Sequence, residues 1–480
     1  MTERAESLYR RFLEFFKAPP TSCQDGFLRR TAEFVTGDDA DILVVNGYAG
    51  TGKTTAVAAV IQALRAVGTR SVLLAPTGRS AKVLSGIAKR PAFTVHKHIY
   101  RQKSVGDNGW GQFSLAPNRA KSTLFVVDEV SLIGTDSLQK DGGAVFGTGN
   151  LLEDLIDFVR SGDDCRLIMI GDSAQLPPVG LDVSPALSPG FMDGFGGVCH
   201  CSLTTVVRQA QESGILMNAT ALRNSIREDR LSDDLRIDLN IDGFGDMERV
   251  RGSELIETIS DAYSRYGEEE TVVLCRSNKR ALRYNLGIRS SVQFKEERLV
   301  RGDRLMIVKN CYQFVEDVPG MDYIANGDIA VLVSIGKYEE RYGLHFAEAL
   351  LCFPDYGDVE IRAKVCLDTL ESDSAALSGE QQDALYAGVS ADYSHLGTKK
   401  KIWEAVREDK YFNALQLKYA EAITCHKSQG GQWDCVFIDN AFWQDGLVLD
   451  DLKWLYTALT RAAKRVYLVN YNKLEWPIGQ

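Results

Sequence analysis

One short stretch constrains this chain more than any other. Asp41-Ile-Leu-Val-Val45 is an apolar run rich in β-branched residues, and Gly47-Tyr-Ala-Gly-Thr-Gly-Lys53-Thr54 follows it at once. From Thr55 to Val67 the apolar positions then recur at helical spacing. A buried parallel strand, a glycine loop and a helix in that order make a phosphate-binding turn. The glycines let successive backbone N–H groups wrap an anion. Lys53 reaches the β- and γ-phosphates, and the Thr54 hydroxyl ligates Mg²⁺. The pattern therefore gathers Gly47, Tyr48, Ala49, Gly50, Thr51, Gly52, Lys53, Thr54 and Thr55 around a nucleoside triphosphate, with ATP and Mg²⁺ as the expected cofactors.

A phosphate loop needs carboxylates at the end of a neighbouring strand. Leu124-Phe-Val-Val-Asp128-Glu129 supplies them. Asp128 is placed to hold Mg²⁺, and Glu129 to polarise the attacking water as general base. A third apolar run, Arg166-Leu-Ile-Met-Ile170, leads into Gly171-Asp172-Ser-Ala-Gln175-Leu-Pro-Pro. Gln175 is suited to bond the γ-phosphate or the attacking water. Sites at strand C-termini of this kind belong to α/β folds with parallel sheets.

Bulk properties narrow the class. At 480 residues the chain exceeds one core and implies about three domains. No apolar run approaches the roughly 18 residues of a membrane span. Met1 to Lys17 alternates charge with Leu and Phe, as an amphipathic helix does. The ten cysteines form no CxxC pair, and Cys199-His200-Cys201 is too tightly spaced for a zinc knuckle. Reduced, buried thiols and a cytoplasmic, nucleoid-associated location are the expectation. The net charge of −10 argues only weakly against nucleic acid, because phosphate contacts depend on local patches.

Further motifs give the chain a resemblance. The three segments above, with Ala75-Pro76-Thr77-Gly78-Arg79-Ser80-Ala81-Lys82 and Phe93-Thr94-Val95-His96, resemble the superfamily 1B DNA helicases of the RecD-like and Dda-like branch. Leu203-x-x-Val206-Val207-Arg208-Gln209, Ala422-Ile-Thr424-Cys-His426-Lys427-Ser428-Gln429-Gly430 and Leu455-Tyr456-x-Ala458-Leu459-Thr460-Arg461-Ala462 continue it in family order. The resemblance implies two RecA-like motor domains, a hairpin insert in the first and an SH3-like β-barrel insert in the second. It implies 5′→3′ movement on single-stranded DNA and unwinding of duplex, with DNA forks as partners and a monomeric motor without a membrane. An RNA or RNA–DNA hybrid helicase is the alternative; an ATP-dependent switch or loader is the more distant one.

The resemblance also assigns roles. Arg208 and Arg461 would stabilise the γ-phosphate from a second domain, which works only when that domain closes over ATP. Gln24 would read the adenine edge, although capping by Thr21 or Ser22 accounts for the same residues. Gly430 and Gln432 fall near a ribose-contacting position, where Gln432 replaces the family's usual acid. Pro76, Thr77, His96, Asn278, Thr424, His426 and Ser428 are the candidate DNA contacts, small or neutral groups suited to phosphate without trapping it. Trp110 and Phe113, in a Gly-rich hairpin pattern, would split the duplex or simply pack a surface hairpin. The expected organisation is a first motor domain over 1–200 with a hairpin insert over 97–122. The second motor domain covers 201–294 and 409–480, interrupted at 295–408 by the barrel and a helical segment.

Overall fold

The computed structural model describes the chain apart from residues 17, 106–110, 136–144, 208–212, 228–235, 316–317, 319–320, 322, 443–447, 472–474 and 478–480. Two helices open it, α1 (Glu3–Glu14) and α2 (Ser22–Thr36). The first parallel sheet is then built from β1 (Ile42–Gly47), β2 (Arg70–Ala75) and β3 (Ala92–Thr94), with α3 (Lys53–Ala66), α4 (Gly78–Ala88) and α5 (Val95–Ile99) between and after them. An insert follows: β4 (Tyr100–Val105) and β5 (Gly111–Leu115) pair antiparallel. After β6 (Thr123–Val127), the short β7 (Val145–Phe146) joins that insert. The chain returns through α6 (Leu151–Arg160), β8 (Arg166–Gly171), α7 (Pro189–Met192) and β9 (Val198–Leu203). The sheet order is β3-β2-β6-β8-β1-β9. Alternation explains the layering. Ile42 and Val44 enter one core, Leu43 and Val45 the other, so helices must cover both faces.

The second domain repeats the plan. After α8 (Gly214–Arg227) and β10 (Arg236–Asp238) come β11 (Met247–Val250), α9 (Leu255–Tyr266), β12 (Thr271–Cys275) and α10 (Asn278–Ser291). Val272 and Leu274 face one core, Val273 and Cys275 the other. The chain then leaves for a closed five-stranded barrel: β13 (Arg304–Ile307), β14 (Ile329–Arg341), β15 (Leu344–Phe353), β16 (Val359–Cys366) and β17 (Leu415–Tyr419). Helices α11 (Gly379–Asp392) and α12 (Lys399–Glu408) lie between its last two strands. Leu385, Val389, Trp403 and Val406 of these helices cover Leu344 and Phe346, so the polar segment over 370–408 is a cap on the barrel wall. Then β18 (Ala422–Thr424), β19 (Trp433–Asp439), α13 (Leu449–Leu459), β20 (Ala462–Val469) and β21 (Glu475–Pro477) complete the chain. The second sheet runs β11-β20-β19-β12-β18, while β10 pairs with β21 apart from it.

The fold is α/β, with two RecA-like domains on parallel sheets, a hairpin insert in the first and a barrel in the second. Three boundaries differ from the sequence reading. Strand β9 carries the first sheet to Leu203, because it pairs along all of β1. Strand β17 closes the barrel between β13 and β16, although it lies beyond residue 408. The paired part of the first insert is Tyr100–Leu115, shorter than 97–122, since Val95–Ile99 is helical.

Candidate nucleotide and nucleic-acid sites

Strands β6, β8 and β1 are adjacent, so their C-terminal ends bring Asp128, Asp172 and Gly47 to one edge. The loop after β1 turns through left-handed backbone at Gly50 (φ 73°) and Gly52 (φ 70°), conformations that glycine adopts without a Cβ penalty. A Cβ on Gly47 would stand 2.8 Å from Lys53 Cδ, so the missing side chain leaves Lys53 room to lie over the loop. Helix α3 starts at Lys53 with no side-chain cap. Its first N–H groups are therefore left for an anion. Thr54 and Thr55 are exposed there, while Thr51 is buried and donates its hydroxyl to Tyr48 O at 2.7 Å.

Gln24 does two jobs at once. Its Oε1 accepts from Thr21 N at 2.8 Å, closing a capping box at the start of α2. Its Nε2 donates to Thr51 O in the phosphate loop at 2.9 Å. The capping bond is present, and the same amide ties α2 to the nucleotide loop.

Asp128 and Glu129 directly follow β6. Asp128 accepts from Glu129 N at 2.9 Å. Burial raises its pKa; Lys53 opposes that rise and Glu129 adds to it. Glu129 holds a left-handed backbone (φ 54°), unusual for a long side chain and typical of strained functional turns. Three buried side-chain oxygens in this group have no hydrogen-bond partner: Glu129 Oε2, Ser131 Oγ and Gln175 Oε1. Leaving one such atom unpaired costs about 1–3 kcal/mol. The three lie on the turns after β6 and β8, where a hydrated phosphate and its metal would satisfy them.

The second domain forms the opposite wall. Tyr456, on α13, accepts from Ala49 N at 3.0 Å and donates to Asp172 Oδ2 at 2.6 Å. Thr457 Oγ1 accepts from Leu176 N at 2.9 Å, and Gln429 Nε2 donates to Leu176 O at 2.6 Å. Arg461 is 4% exposed and spends its guanidinium on Gly431 O at 3.1 Å, Thr457 O at 3.2 Å and Thr460 Oγ1 at 3.3 Å. Arg208 lies outside the described residues. Tyr456, Asp172 and Thr457 received no role from the sequence, although each stands inside a quoted motif. Only their meeting across the cleft reveals them.

The candidate nucleic-acid contacts divide. Thr77 caps α4, with its hydroxyl accepting from Ser80 N at 3.2 Å and paired with Ser80 Oγ at 2.7 Å. Gly430, in left-handed backbone, packs on that cap, where a Cβ would stand 2.9 Å from Ser80 Cβ. Gln432 is exposed beside it, and its carbonyl accepts from Arg79 at 3.3 Å. Arg79 also stacks on Trp433 at 3.9 Å, and burial lowers its pKa to about 10. Pro76, Asn278, Thr424 and His426 keep partial exposure. Ser428 corrects the sequence reading: it is fully buried and donates to Cys425 O at 2.7 Å, so it fastens its own turn and faces no ligand. His96 packs on Phe146 and Tyr100, and burial lowers its pKa to about 4, so it is neutral. Trp110 lies outside the described residues. Phe113 stacks on Phe146 at 4.5 Å and meets Tyr312 of the barrel region at 5.3 Å.

Two RecA-like lobes, a phosphate-binding loop in the first and a barrel spliced into the second define the class by its fold. Residues 29–238 match the family described as AAA domain, and residues 419–469 match the UvrD-like helicase C-terminal domain. Over 181 residues (38% of this chain, 21% of the relative) the chain is 32% identical to the ATP-dependent RecD2 DNA helicase of Deinococcus radiodurans. Over 185 residues (38% of each) it is 30% identical to the ATP-dependent DNA helicase dda of Enterobacteria phage T4. The Bacteroides Pif1 helicase structure with ADP-AlF3 and ssDNA aligns over 95% of this chain and 93% of that one, at 16% identity and TM-score 0.47. The chain spans between 21% and 38% of the length of the curated relatives named here. The likeness to these DNA helicases covers the first motor domain and the C-terminal end of the chain.

Proposed function

We propose that this chain is an ATP-driven motor that moves 5′→3′ along single-stranded DNA and separates duplex at forks. One observation carries the reading: the nucleotide loop lies in a cleft whose far wall is α13 of the second domain, hydrogen-bonded to Ala49 and Asp172. Binding and release of a nucleotide in such a cleft opens and closes two lobes, and that motion is what translocation needs.

The residues divide the work. Lys53 and the loop N–H groups hold the β- and γ-phosphates, and Gln24 keeps the loop in register. Thr54 and Asp128 would hold Mg²⁺ between phosphate oxygens, and the ion would neutralise charge developing on the transferred phosphate. Glu129 takes a proton from the attacking water, which Gln175 orients. Arg461 gives up its carbonyl partners to reach the γ-phosphate as the lobes close, and Arg208 is proposed to join it.

Pro76, Thr77, His96, Asn278, Thr424 and His426 are proposed to line the backbone track, with a motor's need for sequence-neutral contacts. Trp110 is the residue left to meet the fork, since Phe113 is committed to holding the hairpin against the barrel region. A monomer working at the nucleoid fits this reading, and no helix among the described residues is long and apolar enough to cross a membrane.

The test is ATP hydrolysis by wild type and Lys53→Ala with no polymer, single-stranded DNA or single-stranded RNA. Strong stimulation by DNA, little by RNA and no activity in the variant support the motor. Equal stimulation by RNA sinks the DNA assignment, and stimulation by neither makes the chain an ATP-dependent switch. Unwinding of duplexes with a 5′ or a 3′ tail then decides direction.

A further inference from the structure

We propose that Tyr456 is a positioning residue that couples nucleic-acid binding to ATP hydrolysis, its hydroxyl holding the phosphate loop and Asp172 to the second lobe. The inference rests on the motor reading and deepens it by naming a carrier of the signal.

The hydroxyl is used completely. It accepts from Ala49 N at 3.0 Å and donates to Asp172 Oδ2 at 2.6 Å, and both Tyr456 and Asp172 are 1% exposed. Ala49 lies inside the phosphate loop, and Asp172 opens the turn that carries Gln175. One side chain of the second lobe therefore grips both first-lobe segments that must move with the γ-phosphate. The grip is polar and two-ended, so it has a defined geometry in a way that an apolar contact does not. Burial raises the tyrosine pKa well above its ordinary value, so the proton stays on the phenol and the donor is permanent. Asp172 Oδ1 accepts from Ala174 N at 3.0 Å, so the turn shifts as a unit with its carboxylate.

The same helix carries the signal outward. Trp454 stands two residues before Tyr456, and its carbonyl oxygen accepts from Cys425 Sγ at 3.6 Å in the turn between Thr424 and Ser428. A displacement of that turn by a bound strand reaches Tyr456 within one helical turn of α13. Lys453, one residue further back, donates to Asp182 O of the first lobe at 2.7 Å, so the helix is anchored to the first lobe on both sides of the tryptophan.

Steady-state ATP hydrolysis by wild type, Tyr456→Phe, Asp172→Asn and the double variant, with and without oligo(dT), tests this. Tyr456→Phe keeps the ring and its packing and removes both hydrogen bonds. The ratio of stimulated to unstimulated kcat is expected to fall about tenfold, with KM for ATP within about twofold. Asp172→Asn turns one of the two accepting oxygens into an N–H donor, so the side chain cannot accept from both Tyr456 and Ala174 N; it is expected to show the same loss, and the double variant no more than either alone. Asp172→Asn carries the test alone if Tyr456→Phe fails to fold. A stimulation ratio within twofold of wild type overturns the proposal. So do a parallel fall of both rates, a rise confined to KM, or fully additive losses. A wild type that oligo(dT) does not stimulate overturns the motor reading along with it.

Discussion

The two walls of the nucleotide cleft are built on opposite principles. The first-lobe wall carries buried polar atoms with no partner, at Glu129, Ser131 and Gln175, and a glutamate in left-handed backbone. Those oxygens are not committed to protein partners. In the second-lobe wall, Arg461, Gln429, Tyr456 and Thr457 are all bonded, to their own turns or to the first lobe. That wall changes partners. A site made of one waiting surface and one exchanging surface responds to ligand with motion, whereas two waiting surfaces would only bind.

The largest test of that contrast is Arg461→Ala. If the guanidinium leaves its carbonyls for the γ-phosphate, kcat falls about 10³-fold, the size of a lost arginine finger. Arg461→Lys does not restore it, because an ammonium cannot reproduce the fork geometry. A loss under tenfold would leave Arg461 a structural clip for Gly431 and Thr457. Glu129→Gln comes next, with kcat down about 10²-fold or more and ATP binding retained by equilibrium titration, since the waiting oxygen serves catalysis and not affinity.

Gln24→Ala should have a smaller effect of two kinds. Loss of the bond to Thr51 O raises KM for ATP about tenfold, a cost near 1.4 kcal/mol. Loss of the capping box lowers the unfolding free energy by about 1 kcal/mol, read by urea titration. An unchanged KM with lowered stability would assign Gln24 to capping alone.

The last effect is one of pH and concerns His96. Its folded pKa is depressed to about 4, below the ordinary imidazole value of about 6.5. The unfolded chain therefore binds a proton that the folded one refuses. The stabilising contribution is complete above about pH 6.5 and is lost as pH falls towards 4. The thermal midpoint of wild type should drop across that window, and His96→Phe should flatten part of the drop. An identical pH profile in the variant would place the titration elsewhere.

Much of the site was legible because its chemistry is local. The run from Asp41 to Thr54 contains its own strand, turn and helix start, and Asp128-Glu129 follows its strand directly. The barrel was legible only in part. Its first strands stand out as short alternating runs, but β17 arrives after two helices, and nothing in Leu415–Tyr419 says whether it pairs with β13 or joins the motor sheet. Ser428 failed for a related reason: a serine inside a coupling motif reads as a ligand contact, and only the fold turns its hydroxyl towards Cys425 O.

By itself, then, the sequence determined the phosphate loop, the order of the motor motifs and the two-lobed α/β plan, because each depends on residues within a few positions of one another. Tertiary structure alone decided that Tyr456 meets Ala49 and Asp172, that Arg461 rests on backbone carbonyls, and that Phe113 joins the hairpin to the barrel region. The Tyr456 contacts link residues hundreds of positions apart. They exist only once two sheets and a barrel have set the distances between them.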